Sequence, residues 1–436
     1  MACEQVTLQD VCELIVDCPH TSAKDEGVGY PLIRTPNVGR GRLILTDVHR
    51  VSQDVYERRV SRAVPRQGDL ILAREAPAGN VAIVPPGIEV CLGQRTMLLR
   101  PDSSFVVPEY LNYYLNAPEQ RDRMLRLANG ATVSHINVAD IRNMPVQLPS
   151  RGEQSKVAEL LNVLDDKIDL NNRLNDYLLE LISSVFAHRF SSNVNTTDLK
   201  NVLSISTKAL KPQEHASEIW EHYSIPAFDE KHRPIFEPAS EIKSNKYQID
   251  NECILISKLN PSTKRIWMPY CSSNNAVCST EFIVYRPYLK EYKSFYYAAI
   301  DSPGFTDYLL EHVSGSTGSR QRAQPKDTLH YLMPNPSNEE IKNFCTFADP
   351  IYRHVQINEQ QTAKLELLRD TLLPKLMSGE IDVSKVDLTQ LTNNHLSGCG
   401  SFCSVCCPSG LASEFHEWFR EHFFFGYGHL CKADLG

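Results

Sequence analysis

Between Pro149 and Arg189, buried-type residues return in steps of four and three: Val157, Leu161, Leu164, Ile168, Asn171, Asn175, Leu178, Ile182 and Val185. The stripe is apolar except at its two central asparagines. A repeat this narrow predicts a long helix with a coiled-coil seam rather than the broad face of a globular helix. A second copy lies 187 positions further on, with Pro149 mapping onto Pro336, Leu170-Asn171 onto Ile357-Asn358, and Leu178 onto Leu365. Its seam reads Phe344, Ala348, Ile351, Val355, Asn358, Thr362, Leu365, Arg369 and Leu372, polar again at the same two central places. One such helix cannot bury its stripe alone. The chain is therefore predicted to be a tandem repeat whose two long helices are each other's partners. Asn171 and Asn175 are read as register devices, because an amide at a seam position penalises mispaired alignments.

The segments before each helix read as mixed α/β with much irregular structure. In the first, Gly68-Asp69 opens a buried strand, Leu70–Ala73. A turn, AREAPAGN, and strands at Val81–Val84 and Thr96–Leu99 follow. Pro108 starts an amphipathic helix, PEYLNYYLNAP, and ANGATVSHINVADIRNMPVQLP supplies a Gly/Thr/Ser loop, a short helical turn and an extended exit. In the second, Glu252–Ile256, the turn SKLNPSTKR and Phe282–Tyr285 repeat the strand order with little identity. Lys293–Ile300 and Pro303–Val313 supply helices, and SGSTGSRQR stands where ANGATVSHI stood. The helices match best and the globular parts least, so the scaffold is repeated while the surfaces differ.

Charge refines this. The chain carries −8 over 436 residues, which at first argues against nucleic acid. Residues 1–149 nevertheless hold 16 basic and 17 acidic groups, and residues 196–335 hold 16 of each. Within the first segment, Arg34 to Arg74 contains nine arginines against four carboxylates, a local +5. A local basic surface is what a phosphate backbone responds to. No apolar run approaches the ~20 residues that span a bilayer, and MACEQVTLQD has no signal-peptide character, so a cytoplasmic protein without a membrane partner is expected. Eight cysteines are scattered singly, as reduced and mostly buried thiols would be. Cys399, Cys403, Cys406, Cys407 and Cys431 crowd an aromatic-rich end, at a spacing that is no standard zinc finger, so no metal site is assigned.

Catalytic motifs are missing: no G-x-S-x-G, no Walker loop, no strand-borne G-x-G-x-x-G, and no Asp/Asn-Pro-Pro-aromatic base clamp. Arg34, Arg40, Arg42 and Arg74 lie in Gly/Pro-rich loops, where a guanidinium fork can reach phosphates or the O6/N7 pair of guanine. Arg58, Arg59 and Arg62 sit near carboxylates and are read as mostly surface. Lys258, Lys264 and Arg265 occupy the corresponding turn of the second segment, with Arg320 and Arg322 after its glycines. The loops holding Asn129, Gly130, Thr132 and Ser134, and Ser316 and Thr317, offer backbone amides that can approach a phosphate closely. All fifteen are candidate DNA contacts.

GDLILAREAPAGNVAIVP, NGATVSHINVADIRNMPVQLPSRGEQSKVAELLNVLDDKIDLNNRLN and the second copy MPNPSNEEIKNF…INEQQTAKLELLRDTLLPKLMSGEI together resemble the DNA-specificity subunit of type I restriction–modification enzymes. The likeness covers about residues 1–390. It implies an α/β (α+β) fold with target-recognition domains at 1–149 and 196–335 and spacer helices at 150–195 and 336–390 packed antiparallel with pseudo-two-fold symmetry. Residues 391–436 form an atypical extension that nothing in the family explains. Each domain would read half of a bipartite site in double-stranded DNA. Two methyltransferase subunits would dock and methylate adenine N6 with S-adenosylmethionine, and restriction subunits using ATP and Mg2+ would translocate and cut. This chain would bind no cofactor itself. The second copy departs from the pattern, with no Glu-Gln at the region of Asn338–Glu340 and Arg369 entering its seam.

Two other readings compete. A self-contained methylation–restriction fragment predicts methyltransferase motifs, which are absent. A non-DNA coiled-coil adaptor or scaffold predicts no basic loops at matching positions in both copies, and these are present. About 38 helical residues would span roughly 57 Å, the scale on which DNA half-sites are separated, so the helix pair is expected to act as a ruler.

Overall fold

The computed structural model describes residues 4–75, 77–128, 135–192, 195–314 and 321–383. Among the described residues the contacts form two compact units, one of residues up to Ile168 with Lys364–Val383, the other of Asp169–Ala363.

The first unit runs β1 (Glu4–Thr7), β2 (Cys12–Asp17), β3 (Tyr30–Ile33), β4 (Gly41–Arg42), β5 (Arg50–Val51), α1 (Gln53–Arg59), β6 (Leu70–Ala73), β7 (Val81–Ile83), β8 (Cys91–Leu92) and β9 (Thr96–Pro101). Then come α2 (Pro108–Asn116), α3 (Pro118–Leu127), α4 (Val138–Arg142), β10 (Pro145–Leu148) and the 40-residue α5 (Arg151–Phe190). Its main sheet is ordered β2-β9-β6-β7-β4, beside a smaller β5-β3-β8 sheet and a β1-β10 pair. The all-apolar run of β6 is buried on both faces, hence its lack of alternation.

The second unit continues with β11 (Thr196–Asp198), β12 (Leu203–Ser206), β13 (Ala209–Leu210), β14 (Ile219–Tyr223), α6 (Ile225–Lys231), β15 (Ile235–Pro238), β16 (Lys246–Gln248), β17 (Ile254–Ser257), β18 (Ile266–Trp267), β19 (Ala276–Ser279) and β20 (Phe282–Pro287). It ends with α7 (Lys293–Ile300), α8 (Pro303–Glu311), β21 (Val313–Ser314), β22 (Arg322–Ala323), α9 (Pro325–Thr328), β23 (Leu332–Pro334) and α10 (Asn338–Met377), again of 40 residues. The order β12-β20-β17-β18 matches β2-β9-β6-β7, and β11-β23 matches β1-β10. A five-stranded sheet, β13-β16-β19-β14-β15, has no counterpart of the same order among the described residues of the first unit. The architecture is the mixed α/β tandem that the repeat implied. The same salt bridge pins each main sheet: Arg100 on β9 clasps Asp69, and Arg286 on β20 holds Asp250.

Both long helices start the same way. Ser150 and Glu153 exchange hydrogen bonds in a capping box, and Ser337 and Glu340, 187 positions on, repeat it. This corrects the departure inferred at Asn338–Glu340: the Glu is kept as Glu340, and only Gln154 is replaced, by Ile341. Gln154 accepts from the Val107 amide and donates to the Pro149 carbonyl, whereas Ile341 joins an apolar core.

Each long helix is divided between the units, α5 after Ile168 and α10 after Ala363. Val157 and Leu161 of α5 share the first unit's core with Leu373 and Leu376 of α10. Leu178, Ile182, Phe186 and Phe190 share the second unit's core with Phe344, Ala348, Ile351 and Val355. Val157, Leu161, Leu164, Ile168, Leu178 and Ile182 are all buried. Near the helix ends the stripe moves on by one: Val185 and its repeat mate Leu372 are half-buried, while Phe186 and Leu373 are buried. A straight helix drifts by about 20° per heptad, which is the reason. Leu365 is likewise half-buried. At the centre, Asn171 donates to Thr362 and Gln361, Asn358 donates to Asn175, and Asn175 donates to the Val355 carbonyl. Asn171–Thr362 and Asn358–Asn175 are the same contact seen from the two copies. Arg369, the apparent intruder, is held by Asp165 at 2.8 Å.

Candidate nucleic-acid interface

In the first unit, four segments converge at one end of the main sheet through backbone bonds. The Arg74 amide donates to the Arg95 carbonyl at 2.8 Å, and the Ile136 amide donates to the Arg74 carbonyl at 3.0 Å. The Gly93 amide donates to the Ile33 carbonyl, tying the β8–β9 turn to Arg34. A Cβ on Gly93 would meet Arg34 Cγ and the Ile33 oxygen at 2.8 Å, so only glycine fits there. The second unit ties the same knot: the Lys258 amide donates to the Glu281 carbonyl, and the Ala323 amide to the Lys258 carbonyl. Arg74 and Lys258 thus occupy one place in the two folds.

The side chains divide into internal struts and outward cations. Arg74 is a strut: Nη1 donates to both Asp17 carboxylate oxygens at 2.7 Å, Nε donates to the Ile136 carbonyl, and the side chain is 13% exposed. It is withdrawn from the DNA-contact set, because a guanidinium satisfied this fully gains little from a phosphate. Arg265 is the same case, bidentate on Asp229 with 11% exposure. Arg42 pairs with Asp166 of α5 at 2.6 Å, Lys264 bonds the Asp301 carboxylate and carbonyl, and Arg322 pairs with Glu281. Those three remain about two-fifths exposed or more. Arg40 is exposed, and its charge, after burial, helps pull Arg121 below the usual guanidinium value. Arg34 is half-buried, and its Nε has no hydrogen-bond partner among the described residues.

One reading of the arginine cluster needs correction, that of Arg59; Arg58 and Arg62 are exposed as expected. Arg59 is buried, not surface: it donates to the carbonyls of Leu92 and Thr21, the compensation a buried guanidinium requires. Arg62 reaches the carbonyls of Asp17 and Cys18. Asn129, Gly130, Thr132, Ser134, Ser316, Thr317 and Arg320 lie outside the described residues, as does the Cys/aromatic end with its metal question.

Arg95 was missed. It follows Gly-Gln in a turn, away from the arginine-rich run, and no local signal marks it. The structure gives it a positive φ of 67°, a side chain 59% exposed, and one ion pair, Nε to Glu75 at 2.8 Å. Arg121, which donates to Asn80 while Asn80 donates to the Val38 carbonyl, was also passed over and buttresses the same loops. Among the described residues no three His, Cys, Asp or Glu side chains are grouped as a metal ion would need, and no helix is long and apolar enough to cross a membrane.

Residues 2–180 match the family model of the type I restriction modification DNA specificity domain. The chain is 21% identical over 372 residues to the type I restriction enzyme MjaIX specificity subunit of Methanocaldococcus jannaschii, covering 78% of this chain and 84% of that protein. It is 23% identical over 409 residues to the StySPI specificity subunit of Salmonella potsdam, covering 83% and 86%. Among solved structures, the type I restriction–modification S subunit from M. genitalium shares the fold at a TM-score of 0.55 and 16% identity, over 86% of this chain and 96% of that one.

Proposed function

We infer that the chain belongs to the DNA-specificity subunits of type I restriction–modification enzymes and is their DNA-recognition part. Each repeat reads one half of a bipartite DNA target and directs adenine-N6 methylation or cleavage by partner subunits. The observation that supports this most is the twice-tied knot. Two folds with little sequence in common bring a basic turn, a strand-connecting loop and the exit of a Gly/Ser/Thr-rich loop to the same place. A repeated scaffold with divergent surfaces is what reading two different half-sites requires.

The finer reading is that the chain is non-catalytic. Two methyltransferase subunits carry S-adenosylmethionine, restriction subunits carry ATP and Mg2+, and the complex works in the cytoplasm. The acidic face of α5 around Glu159, Asn162 and Asp166, beside Val107 and Glu109, lines a shallow groove of about 350 Å³.

The test is co-expression with the proteins encoded by the chain's genomic neighbours, followed by methylome sequencing of the host. One bipartite motif carrying N6-methyladenine in both halves is expected. Methylation that persists unchanged without this chain, or that shows no sequence dependence, would sink the reading.

A further inference from the structure

We propose that Arg95 reads the edge of a guanine in the half-site recognised by the first repeat, with Glu75 as its positioning residue. The proposal rests on the DNA-recognition reading and assigns it a base contact. Three observations carry it.

The first is backbone strain. Arg95 sits at φ 67°, a left-handed conformation that a long side chain rarely adopts. Its surroundings over-determine that conformation: its amide donates to Cys18 Sγ at 3.1 Å, and its carbonyl accepts from the Arg74 amide at 2.8 Å. Residues held this way cluster at ligand-contacting sites.

The second is the way the guanidinium is held. Glu75 takes Nε at 2.8 Å and is the one ion-pair partner of the Arg95 side chain among the described residues. The two terminal nitrogens are left as a parallel donor pair on a side chain 59% exposed. A fork fixed at Nε and open at its tip matches the O6 and N7 acceptors that guanine presents in the major groove. The neighbouring carboxylate opposes a phosphate, whose charge it repels, more than it opposes a neutral base edge.

The third is position. Arg95 stands in the knot, bonded through its backbone to the Arg74 turn, with Arg34 packed against Gly93 two residues away. The strut Arg74, held by Asp17 and Ile136, fixes the platform from which Arg95 projects.

The experiment is selection by the full-length chain from a pool of DNA duplexes randomised across both half-sites, comparing the parent with Arg95→Asn, Arg95→Lys and Glu75→Ala. Asparagine tolerates positive φ, so Arg95→Asn preserves the turn while removing the fork. With Arg95→Asn, preference for G·C should fall about 5- to 150-fold at one position of one half-site and hold elsewhere. Arg95→Lys should lose the same position, because an ammonium has no fork. Glu75→Ala should blur that position alone. An unchanged motif in Arg95→Asn overturns the proposal. So does a uniform loss of affinity with a salt slope reduced by about one, the mark of a phosphate contact. If the parent itself selects no motif, the DNA-recognition reading fails first, which separates the two outcomes.

Discussion

On the two long helices, one pair of positions related by the 187-residue repeat is filled by opposite chemistry. In the first unit Asp165 and Arg369 form an ion pair, and the Tyr113 hydroxyl donates to Asp165 and Asn162. Burial opposes the Arg369 charge, but its bonds to Asp165 and Asp370 outweigh that and hold its pKa above the usual value. In the second unit the equivalent residues are Tyr352 and Ile182, both in the apolar core, with Tyr352 edge-on to Tyr297 at 5.2 Å. Each solution works because each is complete: the carboxylate has two partners, Arg369 and Tyr113, and the apolar pair leaves no charge behind. The knots repeat the lesson at the surface. Arg95 in one stands where Glu281 stands in the other, and Glu281 is claimed by Arg322. The fold prescribes which atoms come together, not what they are, which is the property a domain reading different sequences needs.

The most damaging change should be Ile168→Asp combined with Leu178→Asp, one residue in each unit's share of α5, both buried. Sequence-specific binding is expected to vanish while weak, salt-sensitive binding persists, measured by titrating specific and scrambled duplexes at two salt concentrations.

Next comes Asp165→Ala, which leaves Arg369 with Asp370 alone and takes the carboxylate from the Tyr113 hydroxyl, and should cost about 2 kcal/mol in a denaturant titration. Giving the first unit the second unit's solution, Asp165→Tyr with Arg369→Ile, should recover stability to within about 1 kcal/mol of the parent, since Tyr113 keeps Asn162. A double variant as unstable as Asp165→Ala would show that the two sites are not interchangeable.

Ser150→Ala and Ser337→Ala should each cost about 1 kcal/mol, and nearly equally, because the caps match bond for bond. Unequal losses would break the equivalence.

A pH-dependent effect concerns Lys293 in the second unit. Burial pulls it from 10.5 to about 8, although it donates to the Asn251 carbonyl. Between pH 8 and 10.5 the unfolded chain then holds a proton that the folded chain has released, so stability should rise with pH across that window. Lys293→Met should flatten the slope.

Periodicity carried the helices, their pairing and the central asparagines, because a seam is a local pattern written every three or four residues. Leu70–Ala73 and Lys293–Ile300 were legible for the same reason: a short apolar run between turn signals names its own element. The five-stranded sheet of the second unit escaped, since strands of two to five residues with mixed faces, such as Ala209–Leu210 and Ile235–Pro238, carry too little pattern.

Within the site, the sequence located the loops and failed on the arginines. Charge along a chain cannot tell Arg74, closed on Asp17 57 residues away, from Arg40, left in water. Arg95 has no basic neighbours in sequence and became visible only through its φ and the single carboxylate at its Nε. What the amino-acid order determined alone was whatever repeats locally: helix length, seam, caps and tandem architecture. The tertiary structure decided which cations are struts and which are free to bind, because a guanidinium's role is set by partners that only folding brings within 3 Å.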